Sequence, residues 1–189
     1  SDLDIFVVNG HVYPQVDGAG IGESLRQPMQ VFWNRGDGAF GEAAGTDGEV
    51  LSKPRSSRGA ALGDLDSDLS LDIAVNVMDD APVLIRNRMA GASRAAVLEL
   101  VGRVANRDAV GARIHARIGG RTLVREARGD RGYLSHGDDR VYLGLGTADR
   151  LDEIRISWPG GGEETLTSVS SGAYLVVEGV GIVRKEAPE

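Results

Sequence analysis

Short apolar runs of three or four residues, separated by turn residues, recur along the whole chain. The first half carries Ile5-Phe6-Val7-Val8, Val31-Phe32-Trp33, Ile73-Ala74-Val75 and Val83-Leu84-Ile85. The second half carries Val97-Leu98-Glu99-Leu100, Val141-Tyr142-Leu143, Ile154-Arg155-Ile156 and Tyr174-Leu175-Val176-Val177. Short runs of this kind, rich in β-branched residues and bounded by Gly, Asp and Asn, predict strands. No stretch of 12 or more residues combines a 3.6-residue apolar period with caps, so the pattern predicts an all-β chain.

One hairpin can be placed in register. Gly119-Gly120 separates residues 112–118 from residues 121–126, and a two-residue Gly-Gly loop suits the positive φ of tight hairpin turns. Pairing Ile118 with Arg121 puts Ile114, Ala116, Ile118 and Leu123 on one face. It also sets Arg113 opposite Glu126 as a candidate cross-strand ion pair.

The first half contains an internal repeat. Residues 2–9 (DLDIFVVN) echo residues 70–76 (SLDIAVN), and each copy leads to a second apolar segment ending in Asn, at Asn34 and Asn87. A composition shift at Met89-Ala90-Gly91-Ala92 marks the expected boundary. The expected layout is residues 1–92, residues 93–180 and a tail at 181–189.

Charge sharpens this division. The net charge of −7 lies wholly in residues 1–90, which hold 14 acids and 7 bases, whereas residues 91–189 hold 14 of each. Such a balance argues against nucleic acid as a partner, because phosphate attraction needs clustered positive charge. No apolar run approaches the length of a membrane-spanning helix, so no membrane partner is expected. The absence of cysteine removes disulfides, thiolate metal sites and thiol nucleophiles.

Chemistry concentrates in residues 63–72, Gly-Asp-Leu-Asp-Ser-Asp-Leu-Ser-Leu-Asp. Asp64, Asp66, Asp68 and Asp72 occupy positions 1, 3, 5 and 9 of a tight loop, and Ser70 at position 7 would add a backbone carbonyl. Several carboxylates plus a carbonyl are what a hard cation requires, Ca²⁺ above all. Without a cation the four acids would repel one another. Loops of this type favour Gly at position 6, where the chain turns sharply, and here Leu69 is expected to be strained. The alternative is an Asp-rich solvated turn without metal.

The run from Arg58 to Asp68, continued by Asp72-Ile73, resembles an FG-GAP/VCBS repeat, and Asn34-Arg35-Gly36-Asp37-Gly38-Ala39-Phe40 resembles the turn of the same repeats. The resemblance implies partial β-propeller blades whose Asp-rich loops hold structural calcium, with Asp4 the last ligand of an earlier loop. Asn106–Arg113, the Gly119-Gly120-Arg121 turn, Tyr133-Leu134-Ser135, Leu143–Gly146, Ile154–Gly161 and Tyr174–Val177 together resemble an ASPIC/UnbV domain, over roughly residues 94–178. That likeness implies a β-sandwich-like domain after the blades, a layout similar to cartilage acidic protein and its bacterial relatives.

The expected partners are the missing N-terminal blades, of the same protein or another chain, and an unidentified protein or small-molecule ligand. The expected role is a calcium-stabilised binding or scaffold module, not an enzyme, and the resemblance favours an extracytoplasmic location. UnbV proteins are encoded in enediyne antibiotic clusters, so a cytoplasmic role in enediyne biosynthesis or self-resistance, with enzymatic activity open, is the alternative.

Other features carry less. His11, His115 and His136 lack metal-ligand spacing. Ser135-His136-Gly137-Asp138 brings the residue types of a hydrolase together only as sequence neighbours, whereas a triad converges from separate segments. The arginines from 113 to 131 are interleaved with acids and read as a solvated face. Arg35-Gly36-Asp37 is explained by the repeat's own turn. The start at Ser1, inside the proposed loop pattern, raises cleavage before serine as an alternative to simple truncation.

Overall fold

The computed structural model describes residues 3–43, 49–88, 94–128 and 132–186. The expected boundary at 89–92 lies outside these residues. Strands dominate, in four sheets of which none closes on itself. Among the described residues no helix is long and apolar enough to cross a membrane.

The first half forms two three-stranded antiparallel sheets. One is β1 (Ile5–Val7), β2 (Gln30–Asn34) and β3 (Phe40–Glu42); the other is β4 (Ser57–Gly63), β5 (Asp72–Val77) and β6 (Val83–Ile85). They share an apolar cluster in which Phe6, Val8 and Val31 meet Val75, Val77 and Ile85, with Met29 and Leu51 buried beside them.

The internal repeat is a structural repeat. Ile5 pairs with Phe32, and Ile73 pairs with Ile85. In both units the Asp at the head of the first strand accepts the backbone N–H of the Asn at the end of the second. Asn34 N reaches Asp4 Oδ1 at 2.8 Å, and Asn87 N reaches Asp72 Oδ1 at 2.8 Å. The units differ at one edge: β5 has β4 beside it, while among the described residues β1, its counterpart, pairs with β2 alone.

The second half is two four-stranded sheets around one core. The first holds β7 (Ala95–Val101), β10 (Val141–Gly144), β13 (Gly172–Val177) and β14 (Gly181–Glu186), in the order β10-β7-β13-β14. The second holds β8 (Arg113–Ile118), β9 (Arg121–Glu126), β11 (Arg150–Ser157) and β12 (Glu163–Ser170), in the order β12-β11-β8-β9. Alternate residues point inward, so Leu98 and Val176 from one sheet meet Ile114, Ile154 and Ile156 from the other. Each such buried side chain contributes about 1.5–3 kcal/mol by leaving water.

The Gly-Gly hairpin adopts the expected register, Ile118 opposite Arg121 and Arg113 opposite Glu126. Glu126 takes Arg128 as its ionic partner, at 3.2 Å. Residues 181–186, expected to begin a tail, instead add strand β14 to the edge of β13.

The two halves touch along the outer edge of β4. Ala60 N donates to Ser135 Oγ at 2.9 Å, and Asp138 N donates to Leu62 O at 2.8 Å. Residues 135–138 thus satisfy an otherwise open sheet edge. The approach requires glycine at 59, where a Cβ would lie 2.7 Å from the Leu134 carbonyl oxygen.

Candidate functional site

The loop between β4 and β5 is folded around its own carboxylates. Asp64 Oδ1 accepts from Asp68 N at 3.1 Å and Asp64 Oδ2 from Leu69 N at 3.0 Å. Asp72, 2% exposed, accepts from Leu65 N at 3.1 Å through Oδ2, besides its bond from Asn87 N. These bonds draw the start and end of the loop together.

Asp64, Asp66 and Asp72 each place a carboxylate oxygen within 4.8 Å of the other two. Ca²⁺ binds oxygen at 2.3–2.6 Å, so ligands on opposite sides of one ion stand about 5 Å apart, and the trio fits that span. At an effective dielectric near 20, each pair of unit charges at this separation repels by about 3–4 kcal/mol. Asp66 Oδ1 is shielded from solvent and accepts no hydrogen bond, while the Arg86 guanidinium stands against Oδ2 as donor and counter-charge. Asp68 lies outside the trio, and its Oδ1 accepts from Ser70 N at 2.8 Å. Ser70 is buried in the same loop.

Leu69 is left-handed at φ 69°, as position 6 of such a loop demands. For a residue with a Cβ this costs about 1–2 kcal/mol. Its side chain explains why it is not glycine. It is 5% exposed and packs on Ala95 and Val97 of β7, with Tyr142 and Ala173 alongside. Burying leucine is worth about 1.5–3 kcal/mol, which offsets the strain. β7 is therefore buried on both faces, with Ala96 and Leu98 toward the sandwich core and Ala95 and Val97 toward the loop.

Residues 102–181 match the family model described as ASPIC and UnbV. The second half therefore carries an ASPIC/UnbV domain. Compared with curated protein sequences, the chain has no match.

The ASPIC/UnbV domain grips the Asp loop through a polar hub that the sequence pattern did not single out. Asp138 Oδ2 accepts from Tyr142 OH at 2.6 Å and from Arg140 Nε at 2.8 Å and Nη2 at 2.5 Å, while Oδ1 accepts from Arg140 N at 2.9 Å. The Arg140 guanidinium also lies over the Tyr142 ring, 5.5 Å from its centre. Burial pushes the Asp138 carboxyl up, but hydrogen bonds from Arg140 and Tyr142, with the Arg140 charge, outweigh it and hold it below the ordinary 3.8. Burial and the bond to Asp138 push the Tyr142 phenol well up. Arg140 further senses the charge of Asp64, linking hub and loop. The only sequence signal was the alternation Asp138-x-Arg140-x-Tyr142 leading into β10.

The serine–histidine–aspartate neighbours do not form a relay. Ser135 Oγ donates to Tyr133 O at 2.8 Å and accepts from Ala60, while the exposed His136 faces Asp139 at 3.3 Å. Trp158 is a core residue at 3% exposure, and Trp33 stands 39% exposed on its small sheet. Arg113 and Arg117 lie on the exposed face of the β8–β9 hairpin, whereas Arg121 and Arg125 pair with Ile118 and Ile114 on its other face, and Arg131 falls outside the described residues.

Proposed function

We propose that this protein is a calcium-stabilised β scaffold or binding module in which propeller-type blades of the FG-GAP/VCBS kind precede the ASPIC/UnbV domain. The observation that carries it is the convergence of Asp64, Asp66 and Asp72 within one cation's span, with Asp66 Oδ1 shielded and without a donor. Those three carboxylates would hold Ca²⁺, with Asp68 and Ser70 as nearby oxygen sources. The ion would supply charge neutralisation and loop rigidity and no chemistry on a substrate. The Asp4–Asn34 and Asp72–Asn87 bonds support two copies of one blade unit. The open edge of β1, with exposed Leu3 and Ile5, would pair with a strand of further blades, of the same protein or another chain.

Chelation is expected to lower the melting temperature and excess Ca²⁺ to restore it, because a ligand bound only to the folded state adds RT ln(1 + [L]/Kd). At a hundredfold excess over Kd this amounts to about 2.7 kcal/mol, readily seen by scanning calorimetry. An identical melting temperature in chelator and in millimolar Ca²⁺ would reject the site.

Arg86 supplies a second test. Its guanidinium competes with a cation for Asp66. The Arg86→Gln variant is therefore expected to bind Ca²⁺ several-fold more tightly by calorimetric titration, and unchanged or weaker binding would count against Asp66 as a ligand.

A further inference from the structure

Four positions of the chain place a glycine directly after Asn or Asp: Asn9-Gly10, Asp17-Gly18, Asp37-Gly38 and Asp47-Gly48. This pairing has its own chemistry. Glycine has no Cβ to shield its backbone nitrogen, which attacks the preceding side-chain carbonyl carbon when the two are brought together. Asp47-Gly48 lies outside the described residues, and the fold treats the other three differently.

Asn9 and Asp17 are held away from reaction. The Asn9 side-chain amide donates to Pro28 O and to Gln30 Oε1, both at 3.0 Å. Gly10 is packed so closely that a Cβ there would lie 2.9 Å from Ser57 N. Asp17 sits in the 3₁₀ turn Pro14–Gly18, and its Oδ1 is turned to Leu25 N at 2.8 Å. A helical backbone fixes ψ, so the Gly18 nitrogen does not swing onto the Asp17 carboxyl carbon.

Asp37 has none of this protection. It lies in the exposed loop that joins β2 to β3 and closes where Asn34 pairs with Phe40. Its Oδ1 accepts Ala39 N at 2.9 Å, which folds the carboxyl back along the N–H side of Gly38. Among the described residues the Gly38 N–H has no hydrogen-bond partner, and nothing lies within 4 Å of where a Cβ would be. The attacking nitrogen is thus free, unshielded and carried beside its carbon. Gly38 is left-handed at φ 86°, a conformation that favours keeping glycine there.

We propose that Asp37-Gly38 is a spontaneous modification site at which Asp37 converts to isoaspartate. The Gly38 nitrogen bonds to Asp37 Cγ. The carboxyl hydroxyl leaves and takes the amide proton with it as water, closing a five-membered succinimide. Solvent water then adds to the ring at the former main-chain carbonyl and breaks its bond to nitrogen. The chain now runs through Cβ and Cγ, the α-carboxylate is free, and the mass is unchanged. One extra backbone methylene in this loop would put Asn34 out of register with Phe40 and loosen β3.

Incubation of the full chain in warm neutral buffer over weeks tests the assignment. Digestion and electron-transfer fragmentation locate the isoaspartate, and methyl transfer by a protein isoaspartyl methyltransferase gives a second readout. Residue 37 is expected to carry at least about fivefold more isoaspartate than residue 9 or 17, because only there does the fold bring nitrogen and carbon together. In urea Asp17 is expected to match Asp37 and Asn9 to overtake both, because an amide loses ammonia more readily than a carboxyl loses water. Asp37→Asn is expected to yield isoaspartate several-fold faster in the folded chain for the same reason. No isoaspartate at residue 37, or a folded chain in which residue 9 or 17 reacts as fast, would overturn the proposal.

Discussion

Replacing Asp72 with alanine is expected to cost the fold about 3–5 kcal/mol, the effect of orphaning donors around a buried anionic acceptor. Asp72 is 2% exposed, and its two oxygens receive Leu65 N and Asn87 N, one from the start of the Asp loop and one from beyond β6. Alanine leaves both N–H groups without this acceptor and opens space at the base of the loop. Asp72→Asn is expected to cost less, about 1–3 kcal/mol, because the amide oxygen still accepts one of the two bonds. Both variants should lose the response of the melting temperature to Ca²⁺, since each removes a charged member of the convergent trio. Urea denaturation with and without Ca²⁺ measures the two effects separately. A cost below 1 kcal/mol for Asp72→Ala would mean that the two backbone bonds do not hold the loop. The corresponding residue of the other unit, Asp4, is exposed and makes the analogous bond to Asn34, so its replacement should cost much less.

Local features of this fold were legible in the sequence and long-range ones were not. All eight apolar runs lie in or overlap strands, because short β-branched runs between turn residues have few alternatives. The Gly119-Gly120 register followed from turn chemistry alone. The repeat was legible because the same Asp and Asn recur around similar apolar segments. β12 was missed: its glutamates, threonines and serines leave only Val169 fully buried, so its apolar pattern is weak. β14 reads as tail in the sequence because an edge strand needs only one partner, here β13. The parallel pairing of β7 with β13 joins segments more than 70 residues apart, which no local pattern encodes.

The candidate site divides in the same way. Asp64, Asp66 and Asp72 converge as their spacing suggested, while the Asp68 carboxylate bonds to the backbone of Ser70. Leu69 counted against the loop when judged by backbone preference alone. Its burial against β7 supplies the compensating energy, and that contact depends on a strand some 26 residues further along the chain. Glu178 stands directly after the last apolar run, where it reads as an ordinary surface acid, although its carboxylate accepts the backbone N–H groups of Arg103, Val104 and Ala105.

Asp138→Asn is expected to destabilise the protein by about 2–3 kcal/mol at neutral pH, because the variant keeps an acceptor but loses the charge that strengthens the bonds from Arg140 and Tyr142. The pH dependence separates this charge effect from simple loss of packing. The Asp138 carboxyl is held below its ordinary 3.8 in the folded protein, so the unfolded state takes up its proton first as the solution is acidified. The stabilisation is fully present above the unfolded value and is lost as pH falls toward and through the lower folded value. The gap in unfolding free energy between wild type and Asp138→Asn should therefore be largest at pH 6–7 and shrink steadily below about pH 4. Urea unfolding at pH 7 and pH 3 measures it, and a gap that stays constant would mean that Asp138 acts by shape alone. The Asp138 backbone N–H holds Leu62 on β4 while its side chain holds Arg140, whose charge interacts with that of Asp64. Loss of the charge should consequently loosen the junction as well as the hub, seen as faster amide exchange at Ala60 and Asp138 than in the β8–β11 core.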